Sequence, residues 1–348
     1  MNHTLPDNIL LTTAPQTELT AFIHKKKYSK IFVLTDENTH RHCYPLLQHT
    51  LPPHTCTTIP SGEENKNLAT CAAIWQAMTD HALDRHAVVI ILGGGVLGDM
   101  GGFCAATYKR GIDFILVATT LLAQADASIG GKLAVDFNHF KNHIGVFQLP
   151  ALTLLYSGFF KTLPFNELRS GFAEVIKHAL ISDKAMWRKI SEHTLETQAW
   201  DELVLHSVQY KSYVVTEDPK EKGLRKILNA GHTIGHALES YLLSANRKVM
   251  HGEAIAAGLI AESKIAVDRG LLDPKDFKSI QTYLLATYGK INFALSETAA
   301  IAVLALQDKK NKDNKILCVL LDGIGSARLD CEISVNDVAG ALHYYQSI

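Results

Sequence analysis

The sequence predicts an α/β domain with a parallel sheet, followed by a mainly α-helical domain. Up to about Tyr156, short β-branched strand candidates alternate with stretches of helical period, which is typical of parallel strands joined by helices. After Thr162-Leu163-Pro164, long stretches of helical period follow with few strand signals. A chain of 348 residues has room for two domains. We therefore predict one domain over residues 1–158 and a second over residues 159–348.

The individual elements follow from apolar runs and their period. In the first domain, strands are expected at residues 31–34, 87–92, 114–117 and 152–155. In the second domain, helices are expected at residues 165–181, 233–243, 252–268 and 274–288. One late strand is expected at residues 316–321, before a D-G-I-G turn. Parallel sheets bind ligands at the carboxyl ends of their strands, and we expect the active site in a cleft between the two domains.

Composition and charge favour a protein that acts on small molecules. The formal net charge is -1, which argues against a nucleic-acid surface or a polybasic membrane contact. The 6 cysteines are far apart and include no C-x-x-C pair, so we interpret them as reduced thiols. No apolar run approaches the ~18 residues that a membrane helix needs, and the first residues do not resemble a signal peptide. A cytoplasmic location is expected.

A run rich in glycine, G-G-G-V-L-G-D-M-G-G at residues 93–102, directly follows a predicted strand. A strand that ends in glycines and leads into a helix presents open backbone N–H groups and the positive end of the helix dipole, which favours phosphate. Gly93, Gly95 and Gly98 have the G-x-G-x-x-G spacing of Rossmann-like dinucleotide sites. A turn that needs positive φ explains one or two of these glycines but not the whole run. The run therefore predicts nucleotide binding.

Two further segments fit a nucleotide site, and each has a structural alternative. Asp36 follows an earlier strand, where an acid bonds a ribose hydroxyl or caps the next helix. In ordinary dinucleotide sites the acid comes after the glycine run rather than before it, so both interpretations of Asp36 stay open. Thr119 and Thr120 open the run T-T-L-L-A-Q-A-D-A-S-I-G-G-K, where they contact a nucleotide or cap a helix.

Three histidines and one acid predict a metal site. His232 and His236 stand four residues apart and share one face of any helix that contains them. His251 opens a later helical run, and Glu174 lies among apolar residues in an earlier one. Nitrogen and oxygen donors without thiolate suit Zn²⁺ in a catalytic site with an open position. One alternative uses His232 and His236 as ligands. The other uses His232, His251 and Glu174, and leaves the remaining histidine for proton transfer.

Basic residues recur inside segments that otherwise carry few charges. Lys132 follows two glycines, and Lys141 and Asn142 border an apolar stretch, where a cation meets a bound anion more readily than bulk water. Each basic residue alone is typical of a solvated surface, but as a set they predict a substrate with phosphate or carboxylate groups. The others are Arg110, Lys177, Lys211, Arg225, Lys309 and Lys310.

Ordered blocks of sequence along nearly the whole chain identify a family resemblance. The blocks are S-G-E-E-N-K, G-G-G-V-L-G-D, T-T-L-L-A-Q-A-D-A-S-I-G-G-K, K-N-H-I-G-V-F, G-F-A-E-V-I-K-H, L-N-A-G-H-T-I-G-H-A-L-E, H-G-E-A-I-A and D-K-K-N. Together they resemble the 3-dehydroquinate synthases, the NAD- and metal-dependent cyclases of the shikimate pathway. The resemblance implies the dehydroquinate synthase-like fold, in which a Rossmann-like NAD domain precedes a mainly helical domain for metal and substrate.

The resemblance also implies residues for each ligand. Zinc or cobalt would be held by Glu174, His232 and His251, and Arg110 would reach the substrate phosphate from the other subunit of a homodimer. Substrate would also be contacted by Asp126, Lys132, Asn142, Lys177, Lys211, Arg225, Asn229, His236 and one of Lys309 and Lys310. NAD would be held by Asp36, Asn38, Glu63, Lys66, Gly94, Gly95, Val96, Leu97, Gly98, Asp99, Thr119, Thr120, Lys132, Lys141, Phe159, Phe160, Lys161 and Thr162.

By the same resemblance, the substrate is 3-deoxy-D-arabino-heptulosonate 7-phosphate and the product is 3-dehydroquinate. NAD⁺ would transiently oxidise the C5 hydroxyl bound by the metal, and phosphate would then leave by β-elimination. Hydride would return to C5, the ring would open, and an intramolecular aldol step would close the product. His236 is the candidate for proton transfer, because an imidazole titrates near neutral pH.

Three other functions compete with this one. A related sugar-phosphate cyclase would act on a substrate without the carboxylate, which would leave Lys211, Arg225 and Asn229 unpaired. A metal-dependent alcohol dehydrogenase of similar fold would release NADH in every turnover. A regulatory NAD-binding protein without catalysis would be expected to lose some of the metal and substrate residues, and this chain retains them.

Three positions depart from the family pattern. Ala118 stands where a proline is usual, Phe140 where a glycine is usual, and Asp136 where an asparagine is usual. Phe140 is bulky beside a proposed NAD contact, so either its loop shifts or no positive φ is needed there. Asp136 adds a negative charge near an anion site. We expect these departures to affect substrate preference more than fold.

Overall fold

The computed structural model describes residues 4–138, 140–307 and 315–348. Within these ranges the chain forms two compact units. The α/β unit comprises residues 4–164 and 200–212, and the helical unit comprises residues 165–199 together with the described residues from 213 onward. Helix α7 (Trp200–Glu217) therefore contributes residues to both units. The boundary at residues 158 and 159 stays a prediction about the domains of this chain.

A parallel sheet of six strands forms the centre of the α/β unit, with the strand order β1-β8-β5-β4-β2-β3. Strands β2, β4 and β8 are apolar and almost wholly buried, as expected where helices cover both faces of a sheet. The predicted parallel sheet is confirmed. Its strands are β1 (Ile9–Leu11), β2 (Ile31–Asp36), β3 (Thr55–Ile59), β4 (Val88–Gly93), β5 (Asp113–Ala118) and β8 (Leu152–Leu155).

Two apolar cores lie on the opposite faces of this sheet. Alternate residues of β2 divide between them, because Phe32 packs in one core and Val33 in the other. The first core contains the buried residues of α3 and α4, and the second contains those of α1. The helices of the unit are α1 (Pro15–Lys26), α2 (Glu37–His42), α3 (Leu68–Asp80) and α4 (Gly95–Thr107). An antiparallel hairpin of β6 (Lys132–Phe137) and β7 (Phe140–Phe147) completes it.

The helical unit is built around α9, which packs against α5, α8, α10 and α12. Its helices are α5 (Phe165–Ser182), α6 (Lys184–Ser191), α8 (His232–Ser244), α9 (His251–Asp268), α10 (Pro274–Tyr288), α11 (Thr298–Leu304) and α12 (Val335–Ser347). An antiparallel pair of strands, β9 (Ile316–Leu321) and β10 (Ala327–Ile333), belongs to the same unit, and β9 packs against α9. The predicted helical second half is confirmed. No helix in the described ranges combines the length and apolar character needed to cross a membrane.

Close packing of α8 against α9 fixes the positions of the histidines at the start of each helix. A Cβ on Gly258 would lie 2.0 Å from the carbonyl oxygen of Gly231, so only glycine permits this approach. The buried carboxylate of Glu262 accepts hydrogen bonds from the backbone N–H of Gly231 at 2.5 Å and of Ile234 at 3.0 Å. These bonds satisfy N–H groups at the first turn of α8, where His232 is the first residue.

Candidate functional site

The glycine turn (residues 93–98) joins the end of β4 to the start of α4 in the α/β unit. Gly94 is the N-cap of α4, so the first backbone N–H groups of the helix have no acceptor within it. None of the glycines between residues 93 and 102 has a positive φ. Close approach explains Gly93, Gly94, Gly101 and Gly102 instead, since a Cβ on each would lie less than 3.0 Å from a neighbouring side chain, for example 2.9 Å from Cγ2 of Thr120 at Gly94. The predicted strand, turn and helix are therefore present, with the geometry of an anion site.

The residues after β5 face this turn. The backbone N–H of Thr119 donates to the carbonyl of Gly93 at 3.0 Å, and Thr119 is buried. The hydroxyl of Thr120 accepts from the N–H of Ala123 at 3.1 Å, so the helix-capping alternative is confirmed for this residue. A pocket lies beside the turn, lined in part by Gly94, Gly98, Asp99, Ser128 and Lys132. Several predicted NAD residues thus share one pocket.

A buried lysine bonds to two other predicted ligand residues of the α/β unit. The Nζ of Lys66 donates to Oδ2 of Asp99 at 2.7 Å and to Oδ1 of Asn142 at 2.6 Å. Burial raises the pKa of the Asp99 carboxyl to about 6, although attraction to Lys66 acts in the opposite direction. Asp99 is consequently an acid that changes charge near neutral pH, in the N-terminal half of α4.

Two of the departures from the family pattern lie in the β6–β7 hairpin. Asn142 has a φ of 52°, and its backbone N–H donates to Oδ1 of Asp136 at 2.7 Å. The additional carboxylate of Asp136 therefore holds the backbone of a predicted substrate residue. Phe140 has no positive φ and its side chain is exposed, so no glycine is required at this position. Ala118 is buried as the last residue of β5.

The carboxylate of Asp126 and the amine of Lys211, both predicted substrate residues, form an ion pair. Nζ of Lys211 lies 2.8 Å from Oδ1 of Asp126 and also donates to its backbone carbonyl at 2.7 Å. Lys211 is buried, which strengthens the interaction relative to a surface ion pair. The structure therefore brings these two residues together within the α/β unit.

Asp36 caps α2, as one of its two interpretations predicted. Its Oδ1 accepts from the N–H of Thr39 at 2.8 Å, and the Thr39 hydroxyl bonds back to the N–H of Asp36 at 3.0 Å. This capping box does not use the second carboxylate oxygen, and contact with NAD stays a prediction.

The remaining predicted residues of the α/β unit differ in exposure. Leu97, Phe159 and Phe160 are buried, Val96 is partly buried, and Asn38, Glu63, Lys141, Lys161 and Thr162 are exposed. Arg110 is exposed and has a φ of 69°, a strained value for a residue with a Cβ.

The helical unit brings together Glu174, His232 and His251, with one ligand atom from each within 4.8 Å of the others. Oε1 of Glu174 lies 3.4 Å from Nε2 of His232 and 3.3 Å from Nε2 of His251. Donors bound about 2.0–2.1 Å from a tetrahedral zinc lie about 3.3 Å apart. The three side chains therefore fit a divalent metal. The other carboxylate oxygen of Glu174 forms an ion pair with Lys177.

Burial and neighbouring charged groups together shift the pKa values of Glu174, His232 and His251. Burial opposes ionisation of Glu174, but Lys177 and His232 outweigh it and hold the pKa of that carboxyl well below its usual value. Burial lowers the pKa of His232. Burial also acts to lower the pKa of His251, but bonds to Glu174 and Glu239 raise it to about 9. An ionised carboxylate at the centre favours a bound cation.

His236 lies beside this cluster and is exposed. Its ring centroid is 5.0 Å from that of His232 and 5.8 Å from that of His251. It belongs to a second group, with Glu239 and His251, whose ligand atoms also lie within 4.8 Å of one another. The proposed role of His236 in proton transfer is compatible with its exposure. The choice between the two predicted ligand sets stays a prediction.

The predicted substrate residues Arg225 and Asn229 lie in the segment before α8. Arg225 is buried, and its Nη1 donates to the carbonyl of Pro219 at 2.8 Å. Nδ2 of Asn229 donates to Oε1 of Glu221 at 2.9 Å. Lys309 and Lys310 lie outside the described residues.

Two acids that are not among the residues predicted from the sequence contact the candidate metal ligands or the helix that carries one of them. Oε2 of Glu239 lies 3.4 Å from Nδ1 of His251, and Glu262 caps the helix that carries His232. Glu239 closes one of the recognised sequence blocks and stands seven residues after His232, which is the spacing of one helix face. That spacing indicates from the sequence alone that Glu239 lies on the same helix face as His232. No local signal marks Glu262, because its partners are backbone groups from a different helix.

Two family models match this chain consecutively. One, described as 3-dehydroquinate synthase N-terminal, matches residues 56–170, and the other, described as 3-dehydroquinate synthase C-terminal, matches residues 171–311. The chain belongs to the 3-dehydroquinate synthase family. A 3-dehydroquinate synthase of Parabacteroides distasonis is 34% identical over 336 residues, which cover 95% of this chain and 95% of the relative. The predicted family is confirmed.

Solved structures show the same fold in related synthases. A 2-epi-5-epi-valiolone synthase from Streptomyces hygroscopicus, with NAD⁺ and Zn²⁺ bound, has a TM-score of 0.87 and 24% identity over 100% of this chain and 98% of its own. A 2-deoxy-scyllo-inosose synthase complexed with carbaglucose-6-phosphate, NAD⁺ and Co²⁺ has a TM-score of 0.83 and 22% identity, over 97% of this chain and 96% of its own. The predicted fold class is confirmed.

Proposed function

We propose that this chain converts 3-deoxy-D-arabino-heptulosonate 7-phosphate to 3-dehydroquinate and phosphate, with NAD⁺ and a divalent metal ion. The observation that carries the proposal is the consecutive match of both family models, over residues 56–170 and 171–311. When bound, NAD⁺ supplies transient oxidation of the C5 hydroxyl, and the metal supplies polarisation of that hydroxyl. The residues of this chain bind and orient NAD⁺, the metal ion and the substrate, and they transfer the protons.

NAD⁺ is held at the glycine turn. The open N–H groups at the start of α4 suit the pyrophosphate, and Gly94 and Gly98 allow its close approach. The ionised form of Asp99 accepts hydrogen bonds from ribose hydroxyls, and Lys66 keeps that carboxylate in place at 2.7 Å. The solved relatives with bound NAD⁺ support this assignment through their fold.

Glu174, His232 and His251 hold the metal. Three nitrogen and oxygen donors leave a position for a substrate oxygen, as in catalytic zinc sites, and Co²⁺ also accepts such ligands. The ion pair between Glu174 and Lys177 fixes the carboxylate and places an amine beside the metal site. The Zn²⁺ and Co²⁺ named for the solved relatives are consistent with this donor set.

The substrate carries a carboxylate and a phosphate, and the basic residues match these charges. Lys132, Lys177, Lys211 and Arg225 bind them, with Asn142 and Asn229 as neutral donors. Lys211 is already paired with Asp126, and Arg225 already donates to the carbonyl of Pro219, so a substrate without the carboxylate would leave neither group without a partner. His236, exposed beside the metal cluster, transfers the proton.

The active form is a homodimer in the cytoplasm. Large apolar side chains are exposed on and beside the β6–β7 hairpin, namely Phe137 at 40%, Phe140 at 62%, Phe147 at 69% and Leu149 at 63%. Exposed apolar side chains of this size favour association with a second subunit. Arg110, exposed and in a strained conformation, then reaches the substrate phosphate of the other subunit.

The proposal is tested by following phosphate release and NADH absorbance with purified protein, NAD⁺, Zn²⁺ and the heptulosonate phosphate. We expect one phosphate and one 3-dehydroquinate per substrate, with no accumulation of NADH. Accumulating NADH would identify a dehydrogenase instead. Equal turnover of a heptulose phosphate that lacks the carboxylate would identify a different sugar-phosphate cyclase.

The variant His236→Ala tests the assignment of the proton-transfer residue in the same assay. Loss of a general acid or base lowers turnover by about 10²–10⁴-fold, so we expect kcat to fall far more than the zinc content. His343→Ala is the control, since His343 is an exposed histidine on α12. Equal loss of zinc and of activity in His236→Ala would return His236 to the ligand set.

A further inference from the structure

We propose that Glu239 is a positioning residue that fixes the tautomer and orientation of the metal ligand His251. The inference rests on the proposed metal site of the helical unit. It concerns a side chain for which neither NAD binding nor substrate binding gives a role. The contact that motivates it is the 3.4 Å separation of Oε2 of Glu239 from Nδ1 of His251.

The imidazole of His251 faces a carboxylate on each side. Its Nε2 lies 3.3 Å from Oε1 of Glu174, on the side where the metal is proposed, and its Nδ1 faces Glu239. A neutral imidazole carries one proton, so a metal at Nε2 requires the N–H to be at Nδ1. Glu239 accepts that N–H and thereby selects the tautomer with the lone pair at Nε2.

His232, the other histidine of the cluster, is oriented by a backbone carbonyl instead of a carboxylate. Nδ1 of His232 lies 3.0 Å from the backbone carbonyl of Ala230, while its Nε2 points to Glu174. Both proposed ligands therefore present Nε2 to one carboxylate and Nδ1 to an acceptor. Of these two histidines, only His251 has a side chain as the acceptor at Nδ1. A carboxylate acceptor makes the imidazole a stronger donor to a metal than a neutral carbonyl does.

The packing of α8 against α9 keeps Glu239 within reach of His251. Glu239 is on α8, and His251 is the first residue of α9. The helices approach closely at Gly231, Gly235 and Gly258, because a Cβ on Gly235 would lie 2.9 Å from the carbonyl oxygen of Ala254. The side chain of Glu239 is 18% exposed, so bulk water screens its contact with the imidazole only in part.

The test compares metal binding by Glu239→Ala, Glu239→Gln and Glu297→Ala in the full-length protein. Glu297 is the matched control, because its side chain is 22% exposed and its partners are Tyr241 and Arg247 of the same unit. The dissociation constant of Zn²⁺ is measured by competition with a chelating dye, and the visible spectrum of bound Co²⁺ reports ligand geometry. Melting temperatures of the metal-free variants monitor folding.

We expect Glu239→Ala to raise the dissociation constant of Zn²⁺ by about 10–100-fold and to shift the Co²⁺ bands. Glu239→Gln should lose less Zn²⁺ affinity than Glu239→Ala, since the amide oxygen of the glutamine still accepts a hydrogen bond from the N–H of His251. Glu297→Ala should bind Zn²⁺ within about twofold of wild type. Zinc affinity and a Co²⁺ spectrum in Glu239→Ala that match those of Glu297→Ala would overturn the proposal.

A second variant separates positioning from direct ligation by Glu239. If His236, Glu239 and His251 held the metal together, His236→Ala would weaken Zn²⁺ binding as much as Glu239→Ala, which would also overturn the proposal. We expect His236→Ala to leave the dissociation constant unchanged. Wild-type protein that binds one Zn²⁺ without forming 3-dehydroquinate would refute the proposed function alone, and failure to bind Zn²⁺ would refute both.

Discussion

The carboxyl group of Asp99, a partly buried residue, would make binding of NAD⁺ at the proposed site depend on pH. Its pKa is raised to about 6 by burial, against the attraction of Lys66. Below that pH the group is mostly protonated, and above it the carboxylate is available to accept hydrogen bonds from the ribose hydroxyls of NAD⁺ in the proposed site. Binding of NAD⁺ should therefore strengthen as the pH rises through 6.

We expect the dissociation constant of NAD⁺ at pH 5 to be up to about tenfold higher than at pH 7, since about a tenth of the Asp99 carboxyl is ionised at pH 5. Protein fluorescence measured during NAD⁺ titrations at several pH values gives this constant. Asp99→Asn should bind weakly with little change between pH 5 and pH 7. A wild-type profile that is flat over this range would contradict the proposed role of Asp99.

The sequence indicates a functional residue where that residue stands at a characteristic spacing from others of its kind or next to glycines. The spacing of His232 and His236 and the position of Glu174 in an apolar run indicate a cluster of possible metal ligands, and the structure brings Glu174, His232 and His251 together. The supporting contacts were not predictable in this way. Asp136 was interpreted as an extra charge near an anion, whereas it accepts from the backbone of Asn142 at 2.7 Å. Such a contact depends on hairpin register, which the sequence leaves open.

Elements with strong periodicity were predicted well, and those without it were missed. The helix expected at residues 274–288 is α10 (Pro274–Tyr288), since a proline at its start and an apolar stripe mark it. The edge strand β3, with sequence T-C-T-T-I, has no apolar run and is only partly buried, so it gave no signal. The β10 strand alternates apolar and polar residues, which is typical of a half-buried strand, but no apolar run marks it.

The crossing of α8 and α9 gives a prediction at the scale of elements. In Gly258→Ala the new Cβ would lie 2.0 Å from a backbone oxygen of Gly231, which no side-chain rotation relieves. We expect the free energy of unfolding to fall by about 3 kcal/mol or more, measured by urea denaturation. Because the clash separates the helices that carry His232 and His251, Zn²⁺ affinity should fall as well.

Gly340→Ala is the matched control for this substitution. Gly340 lies within α12, and a Cβ there would meet nothing within 4 Å. Alanine is favoured over glycine inside a helix, so this variant should be more stable than wild type by about 0.5–1 kcal/mol. Similar stabilities for the two variants would show that contact at Gly258 does not set the spacing of α8 and α9.

At the scale of the whole chain, the sequence predicted a parallel sheet followed by helices, and both are present. The prediction succeeded because buried parallel strands and long amphipathic helices differ in length and period. The division into compact units was harder to predict. Residues 200–212 belong to the α/β unit although they lie within the mainly helical part of the chain, and Lys211 pairs there with Asp126 at 2.8 Å. The assignment of residues 200–212 to the α/β unit depends on contacts between residues far apart in the sequence, and such contacts leave no local sequence pattern.

The proposed homodimer makes a prediction that depends on two subunits acting together. If Arg110 completes the site of the other subunit, then Arg110→Ala and Lys177→Ala should each be nearly inactive alone. In a mixed dimer, the site with an intact Lys177 receives Arg110 from its neighbour. After dissociation and reassociation of an equal mixture, activity should return to about a quarter of the wild-type value, because half of the dimers are mixed and each has one complete site. Analytical ultracentrifugation confirms dimer formation, and a mixture of dimers without regained activity would show that Arg110 acts within its own subunit.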